Sequence, residues 1–217
     1  VAVLTVDEYL ARSRFDQFRY RLYRNPFVMF GLGASYLFIL HYRVTAGVPK
    51  NWHRERTSIY ATNLGLLLMV GLASWTIGLG TFLMIHLPLV ILAAATGCWL
   101  FFIQHQFEDA YWQPQSTWNF TESALQGSSY YRLPRVLQWF TGNIGFHHIH
   151  HLDSRIPNYN LPLCYAAEPD LQQAVTLGIR DSLQCTRLKL WDTEQQRMVS
   201  FKEAYTKLPA SSVLQKS

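Results

Sequence analysis

Three runs of apolar residues divide the chain, and their lengths predict which parts cross a membrane. The first run covers residues 26–40 and is short for a spanning helix, which needs about 20 residues to cross the hydrocarbon core. The second run, residues 59–79, and the third, residues 81–103, are each long enough. Because the link between the two long runs is short and rich in glycine, the pattern predicts a transmembrane helical hairpin over residues 59–103.

Polar segments lie on both sides of the hairpin. The sequence pattern predicts one helix over residues 5–24, and Thr5 with Glu8 forms a capping-box pattern at its start. Arginines alternate with aromatic residues in this helix, which is typical of a membrane surface, although an ordinary amphipathic surface helix is the alternative. Near the other end of the chain, residues 188–192 and 197–201 are predicted to form a small β-hairpin.

Composition supports a membrane protein. Apolar residues make up 49% and charged residues 15% of the 217 residues, whereas soluble proteins average about a quarter charged. The net charge of +5 suits either nucleic acid or an anionic membrane surface, and the long apolar runs favour the membrane. We therefore expect an integral, multi-pass membrane protein that binds no nucleic acid. The three cysteines are far apart and match no disulfide framework.

A segment with four histidines in five positions, residues 147–151, carries the strongest chemical signal. If it is helical, His147, His150 and His151 share one face, because residues three and four apart are neighbours on a helix. His148 then points elsewhere. Three imidazoles on one face suit a transition metal that prefers nitrogen ligands, such as iron, zinc or copper.

A second polar segment, residues 104–112, begins where the third apolar run ends. His105 is therefore expected at the same membrane surface as the histidine cluster, and we interpret it as a further metal ligand. Glu108 and Asp109 offer carboxylates that could bind a metal. We favour instead a role in orienting the ligand imidazoles, or a simple surface role. His86, inside the third run, is interpreted as a kink or hydrogen-bonding residue.

These motifs resemble those of the membrane fatty acid desaturases. The pattern H-x-x-H-H at residues 147–151, with G-N-I-G-F before it and S-R-I-P-N-Y after it, is similar to the third histidine box of that family. Residues 104–112 and two N-terminal segments, residues 4–9 and 20–26, are similar to bacterial members. The resemblance covers most of the chain and weakens after about residue 165.

The resemblance implies an all-α membrane protein. Residues 1–217 would form the C-terminal part of a desaturase domain, in which the transmembrane hairpin carries a cytoplasmic, histidine-rich helical cap of residues 104–217. The implied location is the bacterial inner membrane, with the histidine cluster on the cytoplasmic side.

The resemblance also implies a reaction and its cofactor. A non-haem diiron centre would use O₂ to introduce a double bond into a fatty acyl lipid, with electrons from a ferredoxin or a cytochrome b5-type donor. No catalytic residue is implied beyond the metal ligands. The ligands that match the family's motifs are His105, His147, His150 and His151.

One departure from the family is large, because its first two histidine boxes are absent. Before residue 104 the histidines are His41, His53 and His86, and none is paired at ligand spacing. A two-iron site needs more ligands than the later histidines offer. We therefore expect the chain to be part of a longer enzyme, inactive alone, with the missing ligands upstream.

The resemblance further predicts a topology. The missing second box would be cytoplasmic and lie just before residue 1, and His105 must reach the same side. The number of crossings between them is then even. Since the two long runs supply two crossings, the first run should not cross. Residues 1–58 and 104–217 are thus predicted on one side, where the positive-inside rule prefers the basic residues of both segments.

Two other interpretations stay open. A related hydroxylase or carotenoid-modifying oxygenase would use the same ligands on a different substrate. A non-catalytic membrane metal-binding protein would retain the histidine cluster without turnover.

Overall fold

The computed structural model describes residues 2–113 and 116–206, and these are mostly helical. The chain forms two compact units. One combines its two ends, Val1–Tyr20 and Leu100–Ser217, and the other is Arg21–Trp99.

The α-helices of the described residues are numbered in chain order. They are α1 (Val6–Ala11), α2 (Arg14–Tyr23), α3 (Ala34–Ile39), α4 (His53–Ile77), α5 (Leu79–His105), α6 (Phe120–Gln126), α7 (Arg135–Phe140), α8 (His147–Leu152), α9 (Leu161–Ala167), α10 (Ile179–Cys185) and α11 (Phe201–Thr206). The described residues also form short β-strands, numbered in the same way: β1 (Leu4–Thr5), β2 (Tyr130–Tyr131), β3 (Thr176–Leu177), β4 (Leu190–Asp192) and β5 (Arg197–Val199).

The two long helices, α4 and α5, are long and apolar enough to cross a membrane. They follow one another across Gly78, whose φ of 83° lies in the left-handed region that glycine adopts readily. No residue of α4 is buried, and large side chains such as Leu67 and Trp75 are exposed. A helix that is apolar all round requires an apolar environment, so the helices predicted from the two long runs have the surface of membrane spans. His86 lies in α5 with its ring stacked on Phe82.

The first apolar run forms a shorter helical segment. A π-helix, Val28–Gly33, leads directly into α3, and a 3₁₀ turn, His41–Arg43, follows. This segment is not among the described helices that are long enough to cross a membrane. The short length of this segment agrees with the expectation that the first apolar run does not cross the membrane. The position of the segment in the membrane stays a prediction.

A three-stranded sheet joins the two ends of the chain, in the order β1, β4, β5. β4 and β5 are antiparallel, which confirms the predicted hairpin, and β1 pairs in parallel with β4. Behind the sheet, Tyr9 and Tyr20 pack with Leu190 and Val199 in a buried cluster. The Tyr20 hydroxyl accepts from the Leu4 N–H and donates to the Lys189 carbonyl. These contacts hold residues from the two ends of the chain together in one unit.

The prediction of one helix over residues 5–24 is wrong, because two helices lie there. α1 begins with the predicted capping box, in which the Thr5 hydroxyl accepts from the Glu8 N–H and the Glu8 carboxylate accepts from the Thr5 N–H. Ser13 then starts α2. Its Oγ accepts from the Asp16 N–H at 3.1 Å and donates to the Asp16 carboxylate at 2.7 Å. This second cap competes with continuation of α1 and separates the two helices.

Candidate metal centre

The last turn of α5 carries His105 and is fixed by the residue before it. Gln104 is buried, and its side-chain Nε2 donates to the Ile144 carbonyl at 2.7 Å. The backbone carbonyl of Gln104 accepts from the Ser129 N–H at 3.0 Å. These two bonds hold the end of α5 against the segment that leads into α8, and so they position His105 beside the histidine box, residues 147–151.

The segment before the histidine box folds tightly because its backbone needs small residues. Gly142 and Asn143 have φ values of 61° and 57°, in the left-handed region that glycine and asparagine adopt most readily. A Cβ on Gly145 would overlap the Tyr131 carbonyl oxygen and lie 2.7 Å from the side-chain Nε2 of Gln138. Glycine therefore permits the close approach that sets the start of α8.

Three histidine side chains converge on one point. α8 places His147 and His151 one turn apart on one face, and His105 meets them from the end of α5. The Nε2 atoms form a triangle: 3.0 Å from His105 to His147, 3.1 Å from His147 to His151, and 3.3 Å from His105 to His151. Among residues 2–113 and 116–206, this is the group whose ligand atoms lie close enough together to hold a metal ion.

The triangle fits a metal better than it fits hydrogen bonds. Each Nε2 either carries a proton or offers a lone pair, so among three nitrogens in mutual contact at least one pair is mismatched. A cation would accept all three lone pairs. Metal–nitrogen distances of about 2.1 Å with angles of roughly 90–110° separate neighbouring nitrogens by about 3.0–3.4 Å, which spans the observed distances.

The second ring nitrogens of two of these histidines differ in their surroundings. His105 Nδ1 lies 3.4 Å from the Gly127 carbonyl oxygen and 3.5 Å from Ser128 Oγ. Donation from Nδ1 to that carbonyl leaves the Nε2 lone pair of His105 free for a metal. His147 Nδ1 is buried and has no hydrogen-bond partner in the described part of the chain. A backbone acceptor thus orients His105, whereas burial holds His147.

Burial keeps His147 neutral, and partial desolvation acts in the same direction on His151. Desolvation, followed by the neighbouring histidines, lowers the pKa of His147 to about 3. Desolvation and then His150 also lower the pKa of His151. An imidazole with a depressed native pKa is neutral at pH 7, so its lone pair is available and metal binding does not have to displace a proton.

The other two histidines of the box lie differently. His148 is fully buried, and its Nε2 donates to the Leu171 carbonyl at 3.0 Å, so it points away from the triangle. His150 shares the face of His147, with ring centroids 5.6 Å apart, but its nitrogens are not part of the clustered group. The structure thus brings together three of the four predicted ligands, and His150 as a ligand stays a prediction.

The two acidic residues after His105 are not part of the cluster. Glu108 pairs with Arg197 of β5 at 2.6 Å. Asp109 lines a separate cavity with Gln126 and Asp170. Both therefore lie outside the candidate ligand set, and a role in orienting the imidazoles stays a prediction.

Sequence comparisons identify the family of the chain. The fatty acid desaturase family matches residues 4–180. The chain is also 39% identical over 209 residues to a fatty acid desaturase of Bacillus subtilis (strain 168). This chain belongs to the fatty acid desaturase family. The aligned part covers 96% of this chain, which spans 58% of the length of that relative.

In this desaturase-family chain, two cavities flank His105. The larger, about 240 Å³, is mainly apolar and is lined by residues that include Phe101, Trp112 and Trp191. The smaller, about 140 Å³, lies between His105, His151 and α6. His105 therefore borders both cavities, and His151 borders the smaller one.

Two residues that position the candidate metal ligands were given no role by the sequence analysis. Gln104 and Gly145 act through contacts with residues far along the chain, which helical spacing does not reveal. One signal was available for Gln104, since a polar residue in the last turn of an apolar helix needs a hydrogen-bond partner.

Proposed function

We propose that this chain carries part of the iron site of an enzyme that uses O₂ to introduce a double bond into a fatty acyl chain. The observation that carries the proposal is the Nε2 triangle of His105, His147 and His151. Family membership supports the reaction class and the fatty acyl substrate.

In this proposal, His105, His147 and His151 hold non-haem iron, and His150 is a further ligand from the same helix face. With O₂, iron supplies the oxidising power that removes two hydrogens from neighbouring methylenes. The chain's own residues hold the ligands in place: Gln104 fixes the end of α5, and the Gly127 carbonyl orients the His105 ring. No catalytic residue is proposed beyond the metal ligands.

A diiron centre requires more ligands than these histidines offer. In the described part of the chain, no second group of ligand atoms clusters as the triangle does. We therefore propose that the remaining ligands come from elsewhere in the natural protein, and that these 217 residues alone are inactive.

The surroundings of His105 support a lipid substrate. His105 ends a helix that is apolar enough to lie in the membrane, and it borders the larger, mainly apolar cavity. An acyl chain that enters this cavity would bring its methylenes close to the site. The electron donor is proposed to be a ferredoxin or a cytochrome b5-type protein, and the site to face the cytoplasm at the bacterial inner membrane.

Fatty acid analysis of a host that lacks its own desaturase tests the proposal. The natural protein that contains this chain should produce unsaturated fatty acids there. Changing His105, His147 or His151 to alanine should lower the product by more than about 100-fold, because groups that only orient ligands already cost roughly 10–100-fold. His148→Ala should retain measurable product, and His53→Ala, which changes an exposed histidine outside the cluster, should retain all of it.

Other outcomes separate the alternatives. A hydroxylated or carotenoid product with the same histidine dependence would identify a related oxygenase. Bound metal without any product would favour a non-catalytic metal-binding protein. Full desaturation by the His147→Ala variant would contradict the proposal.

A further inference from the structure

The short helix α7 has an unusual distribution of polar and apolar side chains. Its buried side chain is the polar Gln138. Its apolar side chains are exposed instead: Val136 at 65%, Leu137 at 43%, Trp139 at 74% and Phe140 at 72%. A helix whose outer face meets water normally buries its apolar residues. The outer face of α7 therefore suits an apolar environment.

Hydrogen bonds of Gln138 fix this orientation. Its Nε2 donates to the Tyr131 carbonyl at 3.2 Å, and its backbone carbonyl accepts from the Asn143 N–H at 2.7 Å. Its side chain also packs against Gly145, where a Cβ would come within 2.8 Å of the Gln138 Oε1. Rotating α7 to bury its aromatic residues would break these contacts, so the exposed apolar face belongs to the fold.

α7 also lies next to the end of a candidate membrane span. Gln104, in the last turn of α5, donates to the Ile144 carbonyl at 2.7 Å. The Ile144 N–H in turn donates to the carbonyl of Thr141, the residue that follows α7. One turn of chain thus separates α7 from the end of α5. Because a spanning helix leaves the hydrocarbon core towards its end, this contact favours a position of α7 near the membrane surface.

The residue types of α7 match that surface. Tryptophan and other aromatic residues concentrate where the hydrocarbon core meets the headgroups. Trp139 and Phe140 have ring centroids 5.0 Å apart and form one aromatic edge. Arg132 and Arg135 are exposed at the N-terminal side of α7. Their charge complements anionic lipid headgroups, which lie just outside the layer that aromatic side chains occupy.

We propose that α7 is a membrane-surface anchor whose apolar face inserts into the bilayer. Its ligand is lipid, with the aromatic and aliphatic side chains at the boundary of the acyl chains and the arginines among the headgroups. α7 leads through Asn143 and Gly145 into α8, so its insertion sets the depth of the histidine box relative to the lipid. The anchor rests on α5 as a membrane span and is independent of the proposed iron chemistry.

Fluorescence quenching tests the anchor in the full-length protein reconstituted into vesicles of phosphatidylcholine and phosphatidylglycerol. The native cysteines are replaced, and a bimane label is attached through Trp139→Cys. Lipids brominated in the upper part of the acyl chain should quench this label by roughly twofold or more, and aqueous iodide should not. The matched control is Thr193→Cys, in the exposed turn between β4 and β5, where iodide should quench and brominated lipid should not.

Two results would overturn the proposal. Quenching of the Trp139→Cys label by iodide alone would show that α7 faces water. A label that neither quencher reaches would show that protein, rather than lipid, covers the helix. Val136→Cys provides a second labelling site on the same face, so the test does not depend on one variant folding.

Discussion

At the scale of single residues, spacing within α8 predicts which histidines point away from the site, but it does not predict which rings converge. His148 lies off the shared face, as its position in the helix requires, and bonds to the Leu171 carbonyl. The convergence of His147 with His105 spans 42 positions of sequence. It depends on the bond from Gln104 to Ile144, which no local pattern encodes.

Gly145 offers a test of how the site is positioned. A Cβ at this residue would overlap the Tyr131 carbonyl oxygen, which is backbone and cannot move aside cheaply. Gly145→Ala should therefore lower the free energy of unfolding by about 1–3 kcal/mol. Thermal unfolding in detergent measures this effect.

Gly97→Ala is the control for that measurement. Gly97 lies in α5 with no atom close to the position of a Cβ, so alanine there should be neutral or stabilise by about 0.5–1 kcal/mol. If both variants unfold at the same temperature, the tight packing around Gly145 is not what positions α8.

At the scale of elements, local signals predict the caps, the long helices and the hairpin of β4 and β5, but not the pairing of the chain ends. β1 is two residues long, too short for an alternating pattern, and it pairs Leu4 with Leu190. The break between α1 and α2 had a local signal in Ser13 and Asp16, a second cap whose spacing matches the first. The stronger helical pattern around it concealed the break.

Removal of the first cap tests the α1 element. Thr5→Ala loses the bond from the Glu8 N–H, so the free energy of unfolding should fall by about 1 kcal/mol. Thr62→Ala is the control, because Thr62 is an exposed mid-helix threonine whose hydroxyl donates to the Ser58 carbonyl. Loss of the Thr62 hydroxyl should change the free energy of unfolding by less than about 0.5 kcal/mol. Equal effects of the two substitutions in denaturant unfolding would mean that the capping box does not stabilise the start of α1.

At the scale of the whole molecule, composition and the long apolar runs predict a membrane protein, and the structure provides two helices of sufficient length. The count of crossings depends on the first run, where the structure has a short helical segment, a π-helix followed by α3. Length alone favours a segment that does not span. The side of the membrane is predicted from the basic residues of both polar segments and from the resemblance to the family, and it stays a prediction.

Labelling at three exposed positions tests the topology. In a background without native cysteines, Asp7→Cys, Lys50→Cys and Ser154→Cys should all react with an impermeant maleimide in inverted membrane vesicles and not in intact cells. The physical reason is that two crossings, α4 and α5, return the chain to its starting side. Labelling of Asp7→Cys and Lys50→Cys from opposite sides would mean that the first run crosses. Opposite labelling of Lys50→Cys and Ser154→Cys would mean that the α4–α5 hairpin is wrong.

Iron content of the purified natural protein tests the central claim, that the histidine triangle binds the metal. Wild-type protein should contain bound iron. The His147→Ala and His151→Ala variants should each contain at least about tenfold less iron than the wild type, because each substitution removes a nitrogen ligand. His148→Ala should keep its iron, since His148 bonds to the Leu171 carbonyl, away from the triangle. If the iron content is unchanged in both the His147→Ala and the His151→Ala variant, the histidine triangle does not bind the iron.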